Sequence, residues 1–276
     1  MKTKATRLLF MVLPVILATG CSKDTKPPAP SRDYMQDMKD FVINLSAYAK
    51  NQDPSFMVMG QNAHKMITLD GRAASMPDFT YLDALDGLGR DKLIYGYYNV
   101  DQESPFDVQS DWAFFLTIAR INGYPVFVTD YCTTPAKIDT AHARNMRNDF
   151  ISFAAEDYTL DAIPAYPVTP YNENNQFISK LDSAKNFLYL SDGNLFGSKA
   201  EFITAIQNTN YDLLITSLYT GGWQLTPTDL ELLKQKNNGG LRLVFACASI
   251  GQAEKHRYYW NNDWLSDPPL WLKEED

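Results

Sequence analysis

The positions of the hydrophobic residues divide the chain into helical and extended segments. Apolar side chains in residues 33–50 recur at helical spacing, which predicts an amphipathic helix over that range. Short continuous apolar runs, which are typical of buried strands, follow at 56–59, 81–88, 93–98, 124–131, 150–155, 186–190, 213–219 and 241–250. Further helical patterns separate several of these runs, at 110–122 and after residues 134, 198 and 226. The chain is therefore predicted to alternate strands with helices.

Capping residues mark the predicted helix ends. Ser110 is the predicted N-cap of the helix at 110–122, and Gly123 is its predicted stop. Pro135 suits the first position of the following helix, because its ring fixes a helical backbone angle. Ser198 and Glu201 have the spacing of a capping box before another helix.

Strands that are apolar throughout and separated by helices form parallel sheets covered on both faces. About eight such strands predict a (β/α)8 TIM barrel, with residues 33–276 forming one barrel domain. A doubly wound open sheet is the alternative, but no glycine-rich phosphate loop follows any predicted strand. Residues 158–175 are rich in proline and asparagine, and they are predicted to form a long connector.

The first 32 residues precede this domain. Residues 1–20 have a basic start, an apolar stretch and a small-residue triplet before Cys21, which predicts a cleaved export signal. The triplet resembles a bacterial lipobox, so Cys21 is the predicted lipidation site, with ordinary cleavage as the alternative. Residues 21–32 are polar and proline-rich, and they are predicted to be a tether. We therefore expect an exported protein, lipid-anchored to a membrane of the bacterial cell envelope, in the periplasm or at the cell surface.

The composition is that of a globular protein, with 45% hydrophobic and 21% charged residues. The net charge is −8, and removal of the export signal with its basic residues would make the chain more acidic. An acidic surface argues against a nucleic acid as partner. Beyond Cys21, Cys132 and Cys247 form neither a disulfide framework nor a zinc pattern. We expect no metal and no cofactor.

In a parallel barrel, catalytic side chains lie at the carboxyl ends of the strands. Polar residues at or just after the predicted strand ends are Gln61, Asn62, Asp86, Asp130, Tyr131, Asp192, Ser217, Gln252 and Glu254. No nucleophile–histidine–acid set and no metal-binding histidine motif stands out. Carboxylates beside aromatic residues such as Tyr259 and Trp260 suit sugar cleavage. Helix capping and core packing are the alternative roles for these residues.

The segment 248–272, ASIGQAEKHRYYWNNDWLSDPPLWL, resembles the signature SIGEAE-x-YRYYW…W…P-x-WL of glycoside hydrolase family 114. The segments 41–63 and 81–96 resemble two more motifs of that group, YAR…P-x-F-I-x-PQNG and DGIGxEDLFY, and the segments 124–132 and 211–219 resemble two of its strands. The family is typified by endo-α-1,4-polygalactosaminidases. The resemblance therefore implies a barrel that hydrolyses an α-linked amino-sugar polysaccharide.

The order of these motifs differs from that of the family, because the strands that come last there come first here. We therefore expect a circularly permuted barrel in which residues 156–185 join the original termini. Ser217 and Gln252 stand where the family's motifs have acidic residues. The family continues with another strand after the last motif, whereas this sequence stops at Asp276, so an incomplete barrel is expected.

The implied chemistry needs two carboxylates, for which Glu254 and Asp130 are the candidates, with Asp86 in reserve. We expect the three to share one pocket, and at least one to have a raised pKa. The predicted sugar-binding residues are Gln61, Asn62, Tyr131, Gln252, Arg257, Tyr259 and Trp260. The expected partners are a polysaccharide, which is cationic where its amines are free, and the membrane. The alternative is a non-catalytic glycan-binding surface lipoprotein, which Ser217, Gln252 and the short C-terminus favour.

Overall fold

The computed structural model describes residues 32–251, 253, 255, 259–269 and 272. The helices in this part of the chain are α1 (Tyr34–Gln52), α2 (Phe79–Leu82), α3 (Phe106–Ile121), α4 (Pro135–Arg147), α5 (Lys199–Gln207) and α6 (Pro227–Leu233). The strands are β1 (Met59–Gln61), β2 (Gly87–Asp91), β3 (Val126–Tyr131), β4 (Ile151–Ala155), β5 (Phe187–Leu190), β6 (Leu213–Thr216), β7 (Tyr219–Thr220), β8 (Trp223–Gln224) and β9 (Leu243–Ala246). None of these helices has the length and apolarity needed to cross a membrane.

Strands β1 to β4 form a parallel sheet in chain order. The register pairs Gln61 with Gly89, Gly89 with Phe127, and Thr129 with Phe153. Helix α3 connects β2 to β3, and α4 connects β3 to β4. These are the strand–helix–strand units that the alternating pattern predicts.

Strands β5, β6 and β9 form a second parallel sheet, also in chain order. Helix α5 connects β5 to β6, and α6 lies between β6 and β9. Strand β4 contacts β5, although the two belong to different hydrogen-bonded sheets. A small antiparallel hairpin, β7–β8, follows β6. The α/β fold with parallel strands is therefore confirmed, but the strands predicted to form one sheet are divided between two.

The helix ends follow most of the capping predictions. Pro135 is the first residue of α4, and the Ser198 side chain caps α5. The prediction that Ser110 is an N-cap is wrong, because α3 begins at Phe106, directly after Pro105. The Ser110 hydroxyl instead donates a hydrogen bond of 2.8 Å to the Phe106 carbonyl within the helix.

The structure differs from the predicted strands at 81–88 and 93–98. Asp78 caps α2 by accepting a hydrogen bond from the Tyr81 N–H, so the first apolar run begins in a helical turn. The strand in this region is β2, which lies later in the sequence than predicted. Residues 93–98 form no strand, because two of their backbone N–H groups bind a buried carboxylate instead.

Alternate residues of β3 pack into two different cores. Val126 and Val128 lie in the core shared with α3 and α4. Phe127 and Tyr131 lie in the core shared with the second sheet, where Phe127 meets Phe187 with 5.4 Å between ring centroids. Successive side chains of a strand point to opposite faces of the sheet. Residues on the Tyr131 face of the first sheet therefore face the second sheet, and we call this the inner face.

The connector at 158–175 contains no helix or strand, as predicted, and joins β4 to β5. It is held near its end by a buried ion pair between Asp212 and Lys236, whose charged atoms are 2.8 Å apart and whose side chains are 0% exposed. Asn174, in the connector, contacts both members of the pair. Its side-chain amide donates a hydrogen bond to the Asp212 carboxylate, and its backbone carbonyl accepts one from the Lys236 ammonium. The pair therefore joins the connector to the start of β6 and to the segment before β9.

We expect Lys236→Met to lower the free energy of unfolding by about 3–5 kcal/mol, because it leaves the Asp212 carboxylate buried without its counter-charge. The double variant Asp212→Asn/Lys236→Met removes both charges and is expected to be less destabilised. Urea denaturation followed by circular dichroism measures both. A loss below about 1 kcal/mol for Lys236→Met would contradict the role given to the pair.

Candidate functional site

A cluster of polar and aromatic side chains lies at the carboxyl ends of the strands, centred on Asp91. Asp91 is the last residue of β2 and pairs with Thr129 of β3. By alternation it lies on the inner face, and its side chain is 18% exposed. A solvent-accessible carboxylate therefore lies at the edge where parallel α/β proteins usually carry their functional groups.

The charge of Asp91 acts on three tyrosines: Tyr131 at the end of β3, Tyr158 in the connector and Tyr189 in β5. Burial raises the pKa of each phenol, and the charge of Asp91 adds to the rise. The Tyr189 hydroxyl also lies 3.2 Å from the Cys247 sulfur. The three phenols therefore stay neutral at physiological pH and keep their protons.

A close backbone approach holds two of these rings together. The Tyr131 and Tyr158 ring centroids are 4.5 Å apart, and the Tyr158 hydroxyl donates a hydrogen bond of 2.8 Å to the Gly96 carbonyl. Gly96 has a φ of 102°, and a Cβ added there would lie 2.8 Å from the Tyr131 Cβ. A glycine is therefore needed for the loop after β2 to pack on this pair of rings.

Lys92 adds a positive charge to the cluster. It follows β2 directly, with a φ of 62°, and its backbone N–H donates to the Thr129 carbonyl. Its ammonium lies 4.9 Å from the Tyr158 ring centroid and 5.9 Å from that of Tyr131. These distances are typical of cation–π contacts.

Gln61 and Asn62, two of the predicted sugar-binding residues, lie at the same edge. Asn62 has a left-handed backbone, with a φ of 59°, and its side-chain oxygen accepts from Arg90 Nη1 and from the Asp91 N–H, each at 3.1 Å. Asn62 therefore joins the end of β1 to the end of β2. The exposed Gln61 side chain lies against Gly89, because the glycine has no side chain that would clash with it.

Asp130, a predicted catalytic carboxylate, lies on the face opposite Asp91 and is fully buried. It accepts hydrogen bonds from the Ile94 N–H at 2.6 Å, the Tyr95 N–H at 3.0 Å and Asn145 Nδ2 at 2.8 Å. Burial raises its pKa from 3.8 to about 6, against the lowering effect of these donors. The raised carboxylate pKa that was expected is therefore present, but its cause is burial and not repulsion between neighbouring carboxylates. The Asp130 side chain holds the loop after β2 through its hydrogen bonds.

The placement predicted for Asp86 is wrong. Asp86 precedes β2 and so lies at the amino end of the strand, where its carboxylate accepts from the Val58 N–H at 2.7 Å and pairs with Lys50 at 3.0 Å. The prediction took β2 to end near Leu88, which moved Asp86 to the wrong edge. Asp86 and Asp130 therefore do not share a pocket.

The remaining predicted site residues belong to the ends of the chain. Cys21, Gln252, Glu254 and Arg257 lie outside the described residues, so their roles stay predictions. Tyr259 is 40% exposed, and the Trp260 ring packs against Trp264 with 5.3 Å between centroids. Among the described residues, no group of three His, Cys, Asp or Glu side chains is placed to hold a metal ion.

Four members of the cluster were not predicted from the sequence: Asp91, Lys92, Tyr158 and Tyr189. The glycines of β2 interrupt the apolar pattern by which strands are recognised, so the pattern did not predict the bounds of this strand. Asp130 was selected because it is a carboxylate at the end of a predicted strand. Asp91 would have met the same criterion if β2 had been predicted to end there. Tyr158 gives no such signal, because it lies in the connector.

A cavity of about 210 Å³ lies at the opposite, amino edge of the strands. His142 lines it and stacks on Tyr171, with 4.5 Å between ring centroids and 14° between ring planes. Burial lowers the pKa of His142 to about 4, so the ring is neutral at physiological pH. Both ring nitrogens are buried without a hydrogen-bond partner. We take the carboxyl edge as the candidate site, because parallel α/β proteins usually carry their functional groups there.

No family model matches the chain. A stretch of 74 residues is 34% identical to the uncharacterized protein MJ1477 of Methanocaldococcus jannaschii, covering 27% of this chain and 21% of that protein. A stretch of 71 residues is 31% identical to an uncharacterized protein of Thermotoga maritima, covering 26% of this chain and 22% of that protein. The chain thus spans about a fifth of the length of these curated relatives. Such partial similarity assigns neither a family nor an activity.

We expect Asp130→Asn to be more stable than the wild type at pH 7, by up to about 3 kcal/mol. Because the pKa of the Asp130 carboxyl rises from 3.8 to about 6 on folding, the folded state loses stability as the pH rises through that range. The asparagine amide cannot ionise, so the variant avoids this loss. The oxygen of Asn145, buried without a partner, can turn to accept from the new amide. Thermal denaturation from pH 4 to pH 7 measures the difference between the two proteins, which should vanish near pH 4.

Asp101→Asn is the matched control, with the opposite expected sign. Burial would raise the Asp101 pKa, but hydrogen bonds from Thr133 and Thr134 outweigh it and lower the pKa to about 2. The ionised Asp101 therefore stabilises the fold above pH 4, and its amide variant should be less stable at pH 7. Equal destabilisation in both variants would show that the Asp130 carboxylate is needed in its charged form.

Proposed function

We propose that the protein acts on an α-linked amino-sugar polysaccharide as a glycoside hydrolase of the polygalactosaminidase-like group. The observation that carries this proposal is the partly exposed Asp91 carboxylate among three tyrosines at the carboxyl edge of the strands. Glycoside hydrolysis requires carboxylates beside the sugar, and aromatic rings offer flat apolar faces to sugar rings. The resemblance of residues 248–272 to the family 114 signature supports the same assignment.

We also propose that the seven parallel strands of the described part of the chain are consecutive strands of one circularly permuted barrel. Each sheet has its strands in chain order, and β4 contacts β5, as expected for successive barrel strands. In that arrangement the carboxyl ends of all seven strands surround one opening. The family resemblance implies the same fold.

In this proposal Asp91 is one of the two carboxylates, and Glu254 remains the sequence candidate for the other. One protonates the oxygen of the leaving sugar, and the other attacks the anomeric carbon or activates a water molecule. The neutral phenols of Tyr131 and Tyr189 and the amide of Gln61 hold sugar hydroxyls. The net charge of −8 favours a polysaccharide that carries free amines.

A non-catalytic glycan-binding lipoprotein is the second candidate. It is favoured by the contacts of Asp130 and Asp86, because two of the three carboxylates predicted for catalysis are engaged in structural hydrogen bonds. In that case the same cluster binds the sugar without cleaving it. The two candidates differ in whether reducing ends are released.

We expect Asp91→Asn and Glu254→Gln each to lower the rate of hydrolysis by at least about a hundredfold, because each removes a group needed for proton transfer or attack. The substrate is a partly acetylated α-1,4-linked galactosamine polymer, and the measurement is the release of reducing ends. Binding to the same polymer, measured by calorimetry, should change much less than the rate.

Asp149→Asn is the matched control, because it removes one negative charge at the amino edge. Asp149 is 76% exposed, and asparagine accepts its left-handed backbone. Its rate should equal that of the wild type. If the wild type binds the polymer but releases no reducing ends, the hydrolase assignment fails and the binding assignment stands. Absence of binding would contradict both.

We further propose that the protein is anchored to a cell-envelope membrane through a lipid on Cys21. Cys21→Ser is expected to move the protein from the membrane fraction to the soluble fraction, because the acylated side chain is lost. Ser22→Ala is the control and should stay with the membrane. A wild-type protein that is soluble and lacks acyl chains by mass spectrometry would contradict the proposal.

A further inference from the structure

Tyr97 and Tyr98 form an aromatic pair in the loop that follows β2, at the carboxyl edge of the first sheet. Their ring centroids are 4.7 Å apart, and their ring planes are perpendicular. Tyr98 is 63% exposed, and Tyr97 is the less exposed of the two. The fold therefore presents an aromatic surface to solvent next to the candidate site.

Hydrogen bonds hold the loop on both sides of this pair. Directly before it, the Gly96 N–H donates to the Gln102 carbonyl at 2.9 Å. After it, the Asn99 side-chain amide donates to the Gln102 side chain at 2.8 Å, and the Asp101 N–H donates to the Tyr131 carbonyl at 3.0 Å. A backbone that is already ordered loses little conformational entropy when a ligand binds to its side chains.

A continuous series of contacts joins the aromatic pair to Asp91. The Arg90 guanidinium lies 4.0 Å from the Asp91 carboxylate and 3.2 Å from the centroid of the Trp112 ring. The Trp112 ring, on α3, lies 5.6 Å from the Tyr97 ring. The pair therefore lies beyond the end of β2, beside the start of α3, and borders the candidate site.

The same loop also contacts the tyrosines of the inner face. The Gly96 carbonyl accepts the hydrogen bond of the Tyr158 hydroxyl, and Tyr158 is itself exposed. Exposed tyrosine rings therefore occur both in the cluster around Asp91 and in the loop that borders it.

Exposed aromatic rings beside a sugar site can bind parts of the ligand that do not react. A polysaccharide extends past the sugar residue that is cleaved and lies against the neighbouring surface. The flat face of an aromatic ring packs against the apolar face of a sugar ring. Because a tyrosine ring is neutral, such packing suits a polymer that carries both acetylated and free amines.

We propose that Tyr97 and Tyr98 form a distal subsite, which binds a sugar residue of the polysaccharide outside the position at Asp91. Tyr98 supplies the exposed face, and Tyr97, which packs between Tyr98 and Trp112, supports it. The inference rests on the proposed function, because it extends the proposed sugar site. It applies both to a hydrolase and to a glycan-binding protein.

The test compares a long ligand with a short one, a partly acetylated α-1,4-linked galactosamine polymer and a trisaccharide of the same sugars. Calorimetry measures both affinities in an Asp91→Asn background, so that the ligand stays uncut. We expect Tyr98→Ala to weaken polymer binding about fivefold, the size expected for the loss of one aromatic face, and to leave trisaccharide binding unchanged. Tyr98→Phe should retain both affinities, because the ring remains.

Phe177→Ala is the matched control, because it removes a ring that is 70% exposed at the amino edge, where Phe177 pairs with Leu241 ahead of β5 and β9. Its affinities should equal those of the parent, and the melting temperatures of all variants show that they fold. An unchanged polymer affinity in Tyr98→Ala, or an equal loss for both ligands, would overturn the distal subsite and leave the proposed function intact. A wild type that neither binds nor cleaves the polymer would overturn both.

Kinetics add a second measurement if the wild type cleaves the polymer. In the wild-type background, Tyr98→Ala should raise KM for the polymer about fivefold and leave kcat unchanged, because a distal subsite binds the ground state and the transition state equally. A fall in kcat without a change in KM would place Tyr98 beside the reacting sugar and overturn the inference.

Discussion

Parallel pairing is the constraint on which the candidate site depends. Each described strand of the two main sheets runs parallel to its neighbours, so their carboxyl ends meet at shared edges. Asp91 of β2, Tyr131 of β3 and Tyr189 of β5 are far apart in sequence. They act on one another electrostatically because parallel pairing and the contact between β4 and β5 place them together. An antiparallel arrangement would have sent neighbouring strand ends to opposite edges.

Buried charges then fix the segments that the strands do not hold. The Asp130 carboxylate accepts hydrogen bonds from two N–H groups of the loop after β2. The same loop contains Gly96, whose carbonyl accepts a hydrogen bond from the Tyr158 hydroxyl. The Asp212–Lys236 pair holds the other end of the connector in which Tyr158 lies. Tyr158 itself is positioned by its hydrogen bond to the Gly96 carbonyl and by its contact with the Tyr131 ring. Irregular segments need such partners, because their backbone groups lack the ladder bonds of a sheet.

Periodicity predicted most of the architecture because the strands β3 to β6 are mostly apolar and helices follow β3 and β5. It failed at β2, where Gly87 and Gly89 replace the apolar residues by which a buried strand is recognised. The misplaced strand end led to Asp86 in place of Asp91. Tyr158 could not be predicted, because its position depends on Gly96, distant in sequence. Contacts of this kind leave no local pattern.

Three aspartates near two neighbouring strands show that position decides the role of a carboxylate. Asp86 precedes β2 and fixes its start through Val58 and Lys50. Asp130 lies within β3 on the helix side, where burial raises its pKa and backbone donors occupy its oxygens. Asp91 ends β2 on the inner face and remains partly exposed among tyrosines. All three come near an apolar strand in the sequence, but of the three only Asp91 lies at the carboxyl end of a strand on the inner face, where its charge acts on the tyrosines. The presence of a carboxylate beside a strand is therefore not enough to identify a catalytic candidate. The register of the strand must be known to within one residue, because a shift of one residue moves the aspartate to the opposite face of the sheet.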